Sequence, residues 1–476
     1  MSAPAILWLR RDLRFGDLPA LGAAHEAGGP VLPVFVLDPA LLASAGEVRT
    51  ASLLAALRAL HASFDGALVV RSGRPDQVLP ALAAEVGATS VHLSAEPSPY
   101  GRRRDALVQA ALRASGVRLV ATGSPYAVTP GRILKDDGQP YRVFTPFARA
   151  WRRHGWRPPA STPPVRWHRG TDGEQLPDVA TGVTVPHVSE AAARERWDGF
   201  LDAALEDYAA GRDLPALDGT SQLSVHLKYG TVHPRTLLAD VAAHPAAGSR
   251  GAAAFIDELC WREFYADVLW HRPDAAWADL RPTAMTYAPL PWPDETRQPS
   301  DAQQTRPYAA DGTEEALARE RLAAWREGRT GFPFVDAGMR QLRAEGWMHN
   351  RVRMVTASFL VKDLHVWWGH GARVFMELLR DGDMASNSQG WQWVAGTGTD
   401  AAPYFRVFNP VSQGRRFDPD GAYVRRYVPE LAHIEGAAVH EPWDVADGLA
   451  RGYPERVVDH AAERLEALRR YEASRT

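Results

Sequence analysis

The chain has 476 residues, 45% of them apolar and 23% charged, which suits two or three globular domains with a sizeable core and excludes a disordered, collagenous or coiled-coil protein. Fifty-four Lys and Arg against fifty-seven Asp and Glu leave a net charge of −3, so any nucleic-acid contact must use a local basic patch rather than overall charge. A single cysteine, Cys260, excludes an intramolecular disulfide, a four-cysteine zinc site and a cysteine-ligated iron–sulfur cluster.

The apolar run Ala5–Leu9 ends at Arg10 and Arg11, and no later run is long enough to span a bilayer. The expectation is a soluble, cytoplasmic protein without membrane contact. Along the first 128 residues, Ile6–Leu9, Val31–Leu37, Ala67–Val70, Ser90–Leu93 and Val117–Ala121 read as strands. Between them Thr50–Phe64, Pro75–Val86 and Arg102–Ser115 carry Leu at helical spacing. That alternation predicts a doubly wound, parallel, Rossmann-like α/β sheet. No G-x-G-x-x-G follows the first strand, so the dinucleotide fingerprint is absent. Residues 129–195, poor in apolar periodicity and rich in Pro and Gly around 157–173, read as an interdomain linker. From 196 to 476 the pattern is helical almost throughout, with a polar insertion at Asp294–Thr313 that reads as a loop. Sixteen tryptophans occur, twelve of them beyond residue 196. Taken singly such residues are core aromatics, but their density also suits stacking or electron transfer.

Four segments of the helical half concentrate chemistry-bearing residues. In Asp218–Ser224 a glycine followed by hydroxyl residues at a helix start suits a phosphate, or an ordinary N-cap. In Glu258–Tyr265 a carboxylate, an indole, a guanidinium and a phenol (Glu258, Trp261, Arg262, Tyr265) share one helical face, as a reader of flat, stackable bases would need. Gly346–Met354 places Asn350, Arg353 and Met354 on one face just before the apolar helix Val355–Val361. A cation there is costly to bury unless paired. His349 lacks partners at metal-ligand spacing. In Asp381–Trp393 the pair Asp381 and Asp383 suggests a metal or an acid/base pair, but no third ligand follows at calcium-loop spacing. Trp391 and Trp393 stand about 200° apart on a helix, one on each side.

In this order the segments resemble the photolyase/cryptochrome family over nearly the whole chain. Trp8–Arg14, Arg142–Phe147, Gly331-Phe332-Pro333 with Asp336–Arg340, and Thr399–Asn409 fit it as well. The resemblance implies an α/β antenna domain and a large all-α domain that binds FAD, active as FADH−, and UV-damaged DNA. It further implies that Tyr208 with Thr220, Ser221, Gln222, Leu223 and Ser224 holds the FAD phosphates and ribityl chain. Asp381, Gly382 and Asp383 would lie at the flavin, with Arg353 paired to Asp381, which displaces a metal. Asn387 would face flavin N5. Trp261 and Trp393 would wall a flipped-out thymine dimer, with Glu258, Arg262, Tyr265, Asn350 and Met354 against the dimer or its strand and Gln413 on the DNA backbone. Extruding a crosslinked dimer costs less than extruding paired bases. Gln222 stands where some relatives have Arg, and Ser388-Gln389 replace the usual Asn-Gly.

Within the family the residues favour a bacterial cyclobutane pyrimidine dimer photolyase, in which an electron passes from excited reduced FAD to the dimer and returns. Asn350 stands where the (6-4) enzymes carry a second His. The rival class is a cryptochrome photoreceptor; such proteins tend to carry a long tail, or Asp in place of Asn387. The stretches Leu37–Arg49, Glu96 and Tyr100–Arg103 resemble relatives that bind 8-hydroxy-5-deazaflavin, near Arg49, Glu96 and Tyr100. Folate binders instead carry Glu at the position of Gly101 and Lys near Asp279. Family members reduce their flavin through three tryptophans, which here implies Trp391, then Trp368 with Trp367 as alternate, then Trp292. A monomer is expected.

Overall fold

A computed structural model describes residues 2–292, 312–400 and 406–474. Five strands, Ala5–Leu9 (β1), Val31–Leu37 (β2), Val69–Ser72 (β3), Ser90–Leu93 (β4) and Arg118–Ala121 (β5), pair in parallel in the order β3-β2-β1-β4-β5. Each predicted strand lies within two residues of its place. β1 sits centrally, Ala5 beside Val31 and Ile6 beside Val91, and all its residues are buried. A sheet covered on both faces needs strands apolar on both sides. Leu7 and Leu9 enter one core with Leu21, Leu57 and Phe64, beneath helices Pro19–Glu26 and Glu47–Ser63. Ile6 and Trp8 enter the opposite core with Leu79, Leu82, Val108 and Leu112, beneath Pro75–Val86 and Pro99–Ala114. The period of two along β1 therefore feeds both layers.

Beyond β5 the described residues hold helices and no further strand. The stretch expected as a linker carries helix Phe144–His154, which buries Phe147, Ala148, Ala150 and Trp151. Its other face is argininyl and its first turn holds Pro146, so its sequence signal is short. The contacts divide the chain into two compact units that do not follow chain order. One is Met1–Ala209, Thr220–Pro273 and Arg380–Asp383; the other is Ala210–Gly219, Asp274–Leu379 and Met384–Thr476.

The second unit packs around Trp325, Phe332, Phe334, Met339, Leu342, Trp368, Phe375 and Tyr423. The helix expected over Val355–Val361 is instead α-helical only to Ser358, then widens into a π turn at Phe359–Asp363. That turn carries the buried Lys362, whose Nζ donates to the Ala395 carbonyl at 3.1 Å. Most of the insertion 294–313 lies outside the described residues, as do 401–405 of the Thr399–Asn409 motif. No helix among the described residues is long and apolar enough to cross a membrane.

Candidate active site

In the first unit, helix Arg250–His271 brings Glu258, Trp261, Arg262 and Tyr265 onto one face as predicted. Trp261 lies 5.3 Å from Tyr265, centroid to centroid, and stacks on Phe144 at 3.7 Å and 6°. Phe144 sits in the quoted Arg142–Phe147 motif, but nothing local to it signals that contact. The Arg262 guanidinium donates to the carbonyls of Pro125 (3.1 Å) and Leu227 (3.2 Å) and lies 4.4 Å over the Tyr126 ring. These bonds fix its position within the protein itself. The next residue, Glu263, accepts from Trp151 Nε1 (2.6 Å), Val128 N (3.0 Å) and Ala127 N. Burial nevertheless pushes its pKa up to about 7.

Tyr208 packs edge-on to Phe200 (5.5 Å) and Phe255 (5.8 Å). Arg196 donates to the carbonyls of Thr220 (2.7 Å) and Ser221 (3.1 Å), which pins the loop into helix Ser224–Tyr229. Gln222 has φ +50 and Leu223 occupies the cap position without a side-chain cap bond. The hydroxyls of Thr220, Ser221 and Ser224 are therefore not used as the N-cap that spacing alone allowed.

The segment Arg380–Asp383 belongs to this same unit. Asp381 and Gly382 are buried and Asp383 half-buried. Asp383 Oδ2 meets Arg11 Nη2 at 2.7 Å, and Arg11 also reaches Glu96 Oε1 at 3.3 Å. Tyr229 donates its hydroxyl toward the carbonyls of Arg49 (2.8 Å) and Arg380 (3.2 Å). Arg11 follows β1 and Glu96 follows β4, where the strand order reverses and open α/β sheets place their ligands. Here that crevice holds ion pairs, including Arg10 with Asp105 at 2.8 Å. Burial pushes the Glu96 carboxyl up, but Arg11, Arg104 and Arg10 outweigh it and hold it below the usual range. Lys228 is pushed down to about 8 by burial and the neighbouring Arg11.

In the second unit, helix Met384–Ala395 carries Asn387, Trp391 and Trp393. Asn387 Nδ2 donates to the Ala372 carbonyl at 2.9 Å, so its amide orientation is set by the neighbouring helix Trp368–Leu378. Trp391 is buried against Phe375 (5.0 Å) and Trp325 (6.1 Å), while Trp393, on the other side, is half-buried. Helix Asn350–Ser358 is capped by His349, whose ring accepts from Arg351 N at 3.2 Å. Asn350 is exposed; Arg353 and Met354 are half-buried. Arg353 Nε donates to the Met348 carbonyl at 2.7 Å, and Arg351 pairs with Asp213 at 2.9 Å. Burial pushes the His349 pKa down to about 4. Gln413 is half-buried on helix Pro410–Phe417.

Trp368 is buried and its Nε1 donates to Asp279 Oδ1 at 2.6 Å. Trp292 contacts Trp367 (5.3 Å) rather than Trp368, and Trp367 touches Trp368 (5.3 Å). Trp367 is the N-cap, with ψ 135, so helical spacing does not apply to it.

Residues 5–165 match the family profile described as DNA photolyase, and 255–473 match that of the FAD binding domain of DNA photolyase. A deoxyribodipyrimidine photo-lyase of Streptomyces griseus is 41% identical over 99% of both chains. The chain belongs to the DNA photolyase family. Among solved structures, a bacterial class III photolyase from Agrobacterium tumefaciens superposes with a TM-score of 0.86 at 35% identity, covering 100% of this chain and 98% of the other. An archaeal photolyase from Sulfolobus tokodaii, solved with two FAD molecules, gives 0.79 at 25% identity over 99% and 100%. The donor set of the first unit suits the dinucleotide of this family: hydroxyls at 220, 221 and 224 beside an uncapped helix start, and two carboxylates at 381 and 383.

The antenna candidates all have protein partners. Arg49 Nη2 donates to the Ser44 carbonyl (2.7 Å), Tyr100 to Asp38 Oδ2 (2.5 Å), and Glu96 pairs with Arg11. A Cβ on Gly101 would overlap the Glu96 side chain and crowd the Ser98 hydroxyl. A cavity of 520 Å3 opens in the same unit, lined by Gly123, Ser124, Tyr126, Arg132, Trp156 and Arg157 among others.

Proposed function

We propose that this photolyase splits cyclobutane pyrimidine dimers in UV-damaged DNA under light. The observation that carries this reading is the match, across 99% of both chains, to a relative named deoxyribodipyrimidine photo-lyase; such relatives favour repair over the cryptochrome reading. Bound FAD would supply the light-driven one-electron chemistry.

Tyr208 and Thr220–Ser224 would hold its phosphates and ribityl chain, with Arg353, Asp381, Gly382, Asp383 and Asn387 around its ring system. The carboxylate of Asp383 is kept in place by Arg11. Trp261, backed by Phe144, would offer its other face to an extruded dimer, and Trp393 would supply the second wall. Glu258, Tyr265, Asn350 and Met354 would line that pocket, and Gln413 would touch the strand. Arg262, bound to two carbonyls, would act by position and charge. Trp391, Trp368 and Trp292 would return the cofactor to its reduced form.

The second chromophore is proposed as 8-hydroxy-5-deazaflavin near Arg49, Glu96 and Tyr100. Reconstitution with each pigment and an absorption spectrum tests this, and selective uptake of folate overturns it. A cytoplasmic monomer completes the reading, checked by light scattering in solution. The main experiment is light-dependent repair of a thymine dimer in a defined oligonucleotide by purified, reduced protein. Repair confined to illuminated samples is expected; no repair by FAD-loaded protein overturns the proposal.

A further inference from the structure

Four tryptophans of the second unit form one continuous row. Ring centroids lie 5.3 Å apart for Trp368 and Trp367, 5.3 Å for Trp367 and Trp292, and 6.0 Å for Trp292 and Trp277. Trp368 is fully buried, whereas the other three are half-buried. Electron exchange between π systems decays exponentially with separation, so rings in contact exchange electrons far faster than rings one residue apart. Positive charge is also more stable near water than in a dry core. The first hop, from buried Trp368 to half-buried Trp367, therefore runs downhill for a radical cation.

Two further features suit that task. The Trp292 Nε1 proton is buried and has no acceptor among the described residues, so a radical cation there keeps its proton and passes the hole on. His370 lies 5.4 Å from Trp292 and 6.1 Å from Trp367. Burial pushes its pKa down to about 4, so at neutral pH it adds no opposing charge.

We propose that Trp367 and Trp277 are additional electron carriers, which lengthen the reducing route to Trp277→Trp292→Trp367→Trp368. The inference rests on the light-driven reduction through Trp391 and Trp368 proposed above. With FAD bound and oxidised, Trp391 would be the residue that gives it one electron under light. Each following hop re-reduces one indole and oxidises the next by one electron. At Trp277 the radical cation releases its Nε1 proton to water. A small external thiol then donates one electron, a proton from water restores the indole, and two thiyl radicals pair as a disulfide.

The test uses FAD-loaded, oxidised protein under blue light with an external thiol, rates being normalised to bound FAD. Trp367→Phe is expected to slow photoreduction roughly tenfold or more, the loss of about 1.4 kcal/mol of barrier lowering. Trp277→Phe is expected to shorten the cofactor–tryptophan radical-pair distance measured by pulsed electron paramagnetic resonance, because the hole then stops at Trp292. Wild-type rate in Trp367→Phe together with an unchanged radical-pair distance in Trp277→Phe overturns the proposal. Trp391→Phe separates the two readings: if it alone abolishes photoreduction, the shorter route stands and the extension falls. If Trp391→Phe photoreduces normally, both fall.

Discussion

Trp261 owes its orientation to Phe144, a residue more than one hundred positions away that stacks on it at 3.7 Å and 6°. Removing the indole deletes the stacking wall, whereas removing Phe144 only frees the indole to move. Trp261→Ala is therefore expected to weaken binding of a dimer-containing single strand by about 1–3 kcal/mol. Phe144→Ala should lose about 0.5–1.5 kcal/mol, the scale of immobilising one large side chain. The double variant should be no worse than Trp261→Ala, as residues acting in series require. Fluorescence anisotropy with damaged and matched undamaged strands checks this, and equal losses on both strands would refute it. Arg11 carries a comparable load for charge: its guanidinium reaches both Asp383 and Glu96. Arg11→Gln removes the one cation that contacts both of these largely buried carboxylates, while Arg104 and Arg10 still face Glu96, so the cost should stay at or below the about 3–5 kcal/mol of a broken buried pair. Urea unfolding measures it, and Arg11→Gln with Glu96→Gln should recover part of the loss.

Helix Trp368–Leu378 is shaped by glycine where another element approaches it. A Cβ on Gly371 would overlap the Trp391 ring and the Leu360 side chain, so the absence of a side chain there is what lets helix Met384–Ala395 come so close. Gly371→Ala should destabilise the protein by about 1–3 kcal/mol, as overpacking does, although alanine is the better helix former. The same shift moves Trp391, so bound FAD after purification should fall as well. Thermal unfolding and the flavin absorbance per protein check both; a variant more stable than wild type would show that the helix can simply move aside. The π turn at Phe359–Asp363 belongs to this scale too, since it sets Lys362 against the Ala395 carbonyl.

Across the whole molecule, buried ionisable groups pull stability in opposite directions with pH. Burial pushes His226, His233, His349 and His370 down to about 4. Their unfolded values near 6.5 mean the unfolded chain binds more protons between about pH 6.5 and 4, so these groups cost stability as pH falls. Burial raises Glu263 to about 7 and Asp267 and Asp363 to about 6. Those groups hold protons in the folded state, and cost stability as pH rises from about 4 toward 7. The two sets offset each other in mildly acid solution, so a single substitution should expose one of them. His226→Gln removes one histidine and should flatten the fall of unfolding free energy between pH 6.5 and 4, by up to about 1.4 kcal/mol per pH unit. Urea titrations at pH 7, 6 and 5 check it; an unchanged slope would mean that His226 takes up its proton alike in the folded and unfolded chain.

Strand positions in the first 121 residues, the parallel sheet, the helical second half and the family were all legible in the sequence. Hydrophobic period and residue order are local quantities, and a strand buried on both faces must be apolar throughout. The face shared by Glu258, Trp261, Arg262 and Tyr265 was legible for the same reason, as was the opposition of Trp391 and Trp393. The partners of those side chains were not. Phe144 against Trp261, Arg11 against Asp383, and Trp292 against Trp367 rather than Trp368 join residues far apart in the chain, and no periodicity encodes such pairs. Trp367 also sits at a helix cap, where helical spacing no longer predicts direction. Residue types and their spacing were decided by the sequence alone; which distant groups hold, charge or connect them was decided only when burial forced those groups to find partners.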